Sequence, residues 1–258
     1  MPYLDEKGVS LYYQVKGNGM PIVFIHPPLL TSENFTYQME GLSQNFKVIT
    51  FDIRGHGRSQ YSNQPITYEF IVEDIKRLLD HLSIEKAFLC GYSTGASIAL
   101  EFMLTNSELA LGSIIVSGMS EASDFYLRNR ISLAVKLAIP RTFSFLAYAI
   151  TWGNSDSKDT FYKLYNESVK GDVRNIQQYY QYSLNYNCTS QLQNIELPIL
   201  LVYGKKDKSF YRYANLLSTQ LPRNEVKFLS KEKHQIPTKA AGKLNKLIQD
   251  FVQSCNEK

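Results

Sequence analysis

The chain has 258 residues, of which 44% are hydrophobic and 20% charged, with a formal net charge of +4. These proportions exclude a disordered or fibrous chain and suit one large globular domain, or a core domain carrying an insertion. The mild basic excess lacks the clustering a nucleic-acid binder needs. Lys205-Lys206 with Lys208, and Lys231 with Lys233, are short runs that read as solvated loop ends.

In the first region Val9, Leu11, Tyr13 and Val15 alternate with Ser10, Tyr12 and Gln14, the pattern of a half-exposed strand. Gly17-Asn18-Gly19 is a turn signal. Pro21 to Ile25 is continuously apolar, as in a strand buried on both faces. Similar runs recur at Phe46 to Phe51, Ala87 to Cys90, Ile114 to Val116 and Ile199 to Tyr203. Between them, Ile71, Ile75, Leu78, Leu79 and Leu82 fall at helical spacing, with Thr67 placed to cap the helix. Ser93 to Leu104 reads as a second, buried helix. Buried strands alternating with helices predict an α/β protein with a mainly parallel sheet and helices on both faces.

The rhythm breaks between about residue 120 and residue 195. Here the sequence is helix-like and rich in aromatics: Phe143, Phe145, Tyr148, Trp152, Phe161, Tyr162, Tyr165, Tyr179, Tyr180, Tyr182 and Tyr186. They either fill a small core of their own or line a substrate cavity. Then come a strand (Pro198 to Gly204), a helix (about Tyr211 to Leu221), a strand with Val226 and Phe228 inward, and a final helix.

Cys90, Cys188 and Cys255 are odd in number and widely spaced, which argues against a disulfide framework. Neither CxxC nor HExxH occurs, and Gly55-His56-Gly57 lacks the third glycine of a dinucleotide turn. No metal or organic cofactor is expected. The first residues lack the apolar stretch of a signal peptide, and no apolar run reaches transmembrane length. The expectation is a cytoplasmic protein without membrane or nucleic-acid partners.

Gly91-Tyr92-Ser93-Thr94-Gly95 matches G-x-S-x-G, directly after one buried strand and directly before a helix. A strand that turns abruptly into a helix strains its central residue and exposes that side chain at the sheet edge. Small neighbours two positions away let strand and helix close on each other. A helix N-terminus also stabilises developing negative charge. A serine hydroxyl needs a base, and the base needs an acid to orient it. Asp207 follows the strand ending at Gly204, and His234 follows the last strand, giving the chain order Ser, Asp, His. Asp124, after the strand ending near Ser117, is the alternative acid.

These features resemble the α/β-hydrolase superfamily, from about Gly8 to Met119 and from Leu197 to Val252. Asp52-Ile53-Arg54-Gly55-His56-Gly57-Arg58-Ser59 resembles that family's D-x-R-G-x-G-x-S turn. The turn is structural there, so His56 is not assigned to catalysis. The resemblance implies an eight-stranded sheet, a core of residues 1–119 and 196–258, and a helical cap over 120–195. It places Ser93, Asp207 and His234 in the triad positions, with Pro198 opening the penultimate strand.

Two departures stand out. Family members usually carry His-Gly followed by a residue whose N–H is the second oxyanion donor, but here the segment is His26-Pro27-Pro28-Leu29. Thr94 keeps the first donor. Pro28 falls on the second donor position and has no N–H, and losing one such donor costs roughly 10²–10³ in rate. A rebuilt hole would draw on Leu29 N–H or on the hydroxyl of Thr31 or Tyr92. Lys233 also stands where glycine is common before the histidine.

The leading expectation is a serine hydrolase, a carboxylesterase type cleaving a small ester, lactone or related acyl compound through an acyl-enzyme on Ser93. Its substrate would be a small apolar or aromatic molecule. A carbon–carbon bond hydrolase using the same triad, and a low-activity sensor of a small ligand, are the alternatives.

Overall fold

The computed structural model describes residues 2–6 and 9–256; Gly8, where the resemblance begins, lies outside them. The chain runs β1 (Tyr3–Glu6), β2 (Val9–Lys16), β3 (Met20–Ile25), α1 (Thr36–Leu42), β4 (Phe46–Phe51), α2 (Tyr68–His81), β5 (Ala87–Tyr92), α3 (Thr94–Thr105) and β6 (Ala110–Val116). Four helices follow: α4 (Phe125–Leu137), α5 (Phe143–Asn154), α6 (Lys158–Ser168) and α7 (Val173–Asn185). The chain then closes with β7 (Ile199–Gly204), α8 (Tyr211–Gln220), β8 (Asn224–Leu229), α9 (Ile236–Lys239) and α10 (Ala241–Asn256).

The strands form one eight-stranded sheet in the order β1-β2-β4-β3-β5-β6-β7-β8. β1 with β2 and β2 with β4 pair antiparallel, and the remaining neighbours pair in parallel. Side chains alternate between the two faces of a strand. Ile22, Phe24, Phe88, Cys90, Ile114 and Val116 therefore pack on one face, against Leu42 of α1 and Ile248 of α10. Val23, Ile25, Leu89 and Ile115 pack on the other, against Ile75 of α2, Phe102 of α3 and Leu217 of α8. Thr67 caps α2 by accepting the Phe70 N–H.

Two strand readings need correction. Tyr12, read as outward on β2, is only 4% exposed, while Val15, read with the inward set, is 37% exposed. The turn after β4 covers Tyr12: its N–H donates to Ser59 Oγ at 2.9 Å, and the Arg58 guanidinium lies 4.7 Å from its ring. Phe228, read as inward, is 44% exposed. It stands on the edge strand with no further neighbour to bury it, its ring 5.3 Å from that of Tyr211.

The Asp52 to Ser59 turn is a buried polar network. Asp52 accepts N–H groups from Ser32 at 2.8 Å and from Arg58 at 2.9 Å, and Arg54 Nε pairs with Asp74 Oδ2 at 2.7 Å. A Cβ on Gly57, at φ 52°, would stand 2.3 Å from Asp52 Oδ2. His56 is fully buried behind this turn, its ring 5.3 Å from that of His26. Ile53 N–H donates to His26 Nε2 at 2.9 Å, so the His26 proton sits on Nδ1, facing Pro27 O at 2.9 Å. Burial pushes His56 down to about 4 and carries His26 well below its usual value too.

Both shifts make the protein acid-sensitive. Below pH 6.5 the unfolded chain takes up protons at these rings while the folded chain does not, so stability is lost as pH falls from 6.5 toward about 4. For His56 the loss reaches about 2 kcal/mol by pH 5. Urea unfolding of the wild type and of His56→Gln between pH 7 and pH 5 should show a flatter pH slope in the variant, whatever its absolute stability. Parallel slopes would remove His56 as the cause.

Candidate active site

β5 ends at Tyr92 and α3 begins at Thr94, leaving Ser93 alone at the turn with φ 54° and ψ −121°. That left-handed conformation is costly for serine and persists only because its surroundings enforce it. Ser93 N–H donates to Val116 O at 2.9 Å, which carries the sheet ladder into the turn. The flanking glycines permit the crossing. A Cβ on Gly91 would lie 2.4 Å from Ala96 Cα, and one on Gly95 only 2.2 Å from Ile25 O.

His234 reaches the serine from the loop after β8. Its Nε2 lies 3.1 Å from Ser93 Oγ, and its Nδ1 lies 2.9 Å from Asp207 Oδ2. The ring packs on Phe210 at 4.4 Å and Tyr92 at 5.4 Å, and Ser117 Oγ donates to the His234 carbonyl at 3.1 Å. Asp207 Oδ1 accepts from Ser209 Oγ at 2.8 Å. Burial alone would raise the Asp207 pKa, but the hydrogen bond and charge of His234, helped by Ser209, outweigh it and hold the carboxylate below its usual range. Asp124 is engaged elsewhere: it caps α4, accepting Leu127 N–H at 2.9 Å, and it accepts the Tyr213 hydroxyl.

Beside Ser93 lies a cavity of about 150 Å³, and Pro28, Tyr92, Thr94 and His234 all line it. Leu29 does not; it is buried, at φ 71°, with its side chain in the core. The Tyr92 hydroxyl donates to Asn154 Oδ1 at 2.9 Å. Thr31 caps the short turn at Ser32, its hydroxyl accepting Glu33 N–H at 3.3 Å, so that side chain does not reach the cavity. Two tyrosines of α7 hold the proline segment: Tyr179 donates to His26 O at 3.0 Å, and Tyr180 to Pro28 O at 3.4 Å. Among the aromatics singled out between 120 and 195, Tyr180 lines the cavity; Tyr148, Trp152, Phe161 and Tyr165 pack mainly on one another.

Sequence reasoning missed Ser117, Ser209, Asn154 and Arg130. Ser209 had a local signal, a hydroxyl two residues after the carboxylate it serves. The other three become neighbours of the site only through the fold. Among the described residues no three His, Cys, Asp or Glu side chains gather where they could hold a metal ion, and no helix is long and apolar enough to cross a membrane.

The sequence profile of the alpha/beta hydrolase fold matches residues 20–143. Serine hydrolase BPHL of Homo sapiens is 24% identical over 257 residues, covering 95% of this chain and 84% of the human protein. An esterase from Exiguobacterium antarcticum superposes with a TM-score of 0.86 at 18% identity, over 95% of this chain and 96% of its own. The chain has the α/β-hydrolase fold. The enol-lactonase from Burkholderia xenovorans LB400 superposes with a TM-score of 0.85 at 19% identity, over 98% of this chain and 100% of its own. The chain spans 37% and 52% of the length of the first two curated relatives it matches.

In this α/β-hydrolase fold the Gly95 contact has a direct consequence. Gly95→Ala must push α3 off the Ile25 carbonyl, at a cost above about 4 kcal/mol, the range of severe core substitutions. Thermal unfolding should show a large drop in Tm or no soluble protein; a Tm within a few degrees of wild type would mean that the crossing yields.

Proposed function

We propose that this chain is an α/β-hydrolase superfamily enzyme, a serine hydrolase of carboxylesterase type that cleaves a small ester or lactone through an acyl-enzyme on Ser93. The observation that carries the reading is the unbroken chain Ser93 Oγ, His234, Asp207, with contacts of 3.1 Å and 2.9 Å. His234 takes the Ser93 proton as the hydroxyl oxygen attacks the acyl carbon, and Asp207 holds the ring and stabilises the imidazolium. His234 then returns that proton to the leaving oxygen, and a water activated by the same ring releases the acid. Similarity to an esterase and an enol-lactonase supports an acyl substrate.

Thr94 N–H, at the start of α3, is assigned to the oxyanion. Pro28 has no N–H to give. The Tyr92 proton is committed to Asn154, and Thr31 is committed to its own turn. Leu29 N–H is the next donor along that loop. Residues 120–195 act as the cap that shapes the substrate side of the cavity, through Leu127, Ile131 and Tyr180. A hydrogen-bonded nucleophile weighs against a ligand sensor, for which the hydrogen bond would be idle.

A fluorophosphonate probe should label the wild type at Ser93 and leave Ser93→Ala unlabelled; equal labelling would end this reading. The acid is tested by kinetics on a 4-nitrophenyl ester. Asp207→Asn should lose roughly 10³–10⁴ in kcat, the scale seen when a triad acid is neutralised. Asp124→Asn should change it less than about threefold, since its carboxylate binds Tyr213 and the α4 N-terminus rather than His234.

A further inference from the structure

The cavity beside Ser93 is walled by apolar side chains with a few neutral polar ones, and Arg130 is the one lysine, arginine or carboxylate residue among those that line it. Leu127, Arg130, Ile131 and Ala134 lie on one stripe of α4, at spacings of three, four and seven, and all four line the cavity. Leu127, Ile131 and Ala134 are buried. The stripe that carries Arg130 is therefore the one facing the nucleophile.

An arginine on an exposed helix usually has a bland role, solvated with its stem packed on a neighbour. Part of that description fits, since the Arg130 guanidinium lies 5.6 Å from the Tyr126 ring. The comparison on the same helix is Arg128, whose Nη1 donates to Ala122 O at 2.9 Å and Leu184 O at 3.1 Å. That is an arginine used for structure. Arg130 makes no such bond, and among the described residues no carboxylate pairs with it. Asp207 is taken by His234 and Ser209, and Asp124, at the start of the same helix, by Tyr213 and the α4 N-terminus. The Arg130 charge is felt at Tyr92 and Tyr180 of the cavity wall and at Asp207 behind His234.

A guanidinium is always charged and offers a planar fork that fits a carboxylate. Set at the rim of an apolar cavity, it rewards a ligand that brings the missing counter-ion. We infer that the substrate carries a carboxylate remote from its scissile acyl carbon, and that Arg130 pairs with it. This rests on the hydrolase reading of the same site and narrows it to carboxylate-bearing esters and lactones, such as monoesters of short dicarboxylic acids.

The test compares mono-(4-nitrophenyl) glutarate with 4-nitrophenyl methyl glutarate, the same skeleton with its charge capped. Wild type should favour the charged ester at least about tenfold in kcat/KM, and Arg130→Gln should shrink that preference by about tenfold to a hundredfold, chiefly through KM. Arg130→Lys should restore part of it. Equal efficiency on the two esters, or a preference that survives Arg130→Gln, overturns the inference while leaving Ser93 chemistry standing. A second measurement is independent of turnover. Glutarate should raise the Tm of Ser93→Ala more than glutaramide does, and Ser93→Ala/Arg130→Gln should lose the difference. If wild type hydrolyses neither ester, the hydrolase reading fails and this thermal shift alone decides the Arg130 site. No differential shift counts against it.

Discussion

The site depends on one close approach, the N-terminal turn of α3 against the end of β3. With 2.2 Å between a hypothetical Gly95 Cβ and Ile25 O, only glycine lets the helix start there. The same crowding at Gly91 keeps the chain from easing away, so the residue between them is left at φ 54°. Strain at Ser93 is thus the local cost of bringing helix and strand into contact, and close packing on both sides keeps it from relaxing. The contact also fixes what faces the serine. The chain leaving β3 carries His26, Pro27 and Pro28, so the proline segment is held against the turn that presents Ser93.

Much of this was readable because it is local or periodic. The central strands are continuous apolar runs in the sequence, and the glycine spacing around Ser93 reports a backbone requirement rather than a packing preference. Asp207 and His234 were readable because each follows a strand that ends at the same sheet edge. The misreadings have another origin. Alternation in one strand says nothing about what lies across it, so the sequence could not show that the Arg58 and Ser59 turn would roof Tyr12, or that Phe228 would stand at an edge. Arg130 was equally hidden. On an amphipathic helix an arginine three residues from a buried leucine looks like a solvated boundary residue, and only the cavity beside it distinguishes the two.

The helices between β6 and β7 are tied to the core at several points rather than hinged to it. Arg58 clasps Glu167 of α6 with Nε and Nη2, both at 2.9 Å. Asn175 of α7 accepts Ser62 N–H at 2.7 Å and donates to Ser62 O at 3.1 Å. Asn154 at the end of α5 takes the Tyr92 hydroxyl and gives its carbonyl to Thr238, bridging the residue before Ser93 to the helix after His234. These anchors hold backbone and side-chain groups that are partly or fully buried, where an unpaired partner is costly. The cavity wall is therefore preformed, with little ordering left to be done when it takes a ligand.

That rigidity bears on the weakest part of the chemistry. The prolines leave two positions of this segment without an N–H, where the proposed chemistry would want oxyanion donors, and the Tyr179 and Tyr180 hydroxyls occupy the carbonyls of His26 and Pro28. The segment is firmly placed but poor in hydrogen-bond donors. On the proposed hydrolase chemistry, developing charge would fall mainly to Thr94 N–H and the α3 N-terminus, and one missing donor is worth roughly 10²–10³ in rate. An enzyme short of stabilisation at the reacting atoms can recover rate from binding energy made elsewhere, provided that energy holds the acyl carbon against the nucleophile. A charged contact at Arg130, on the same helix stripe as Ile131 and in the same cavity lining as the proline pair, would supply that kind of binding. Generic neutral esters, which cannot make this contact, are then expected to be slow substrates even though Ser93, His234 and Asp207 are in register.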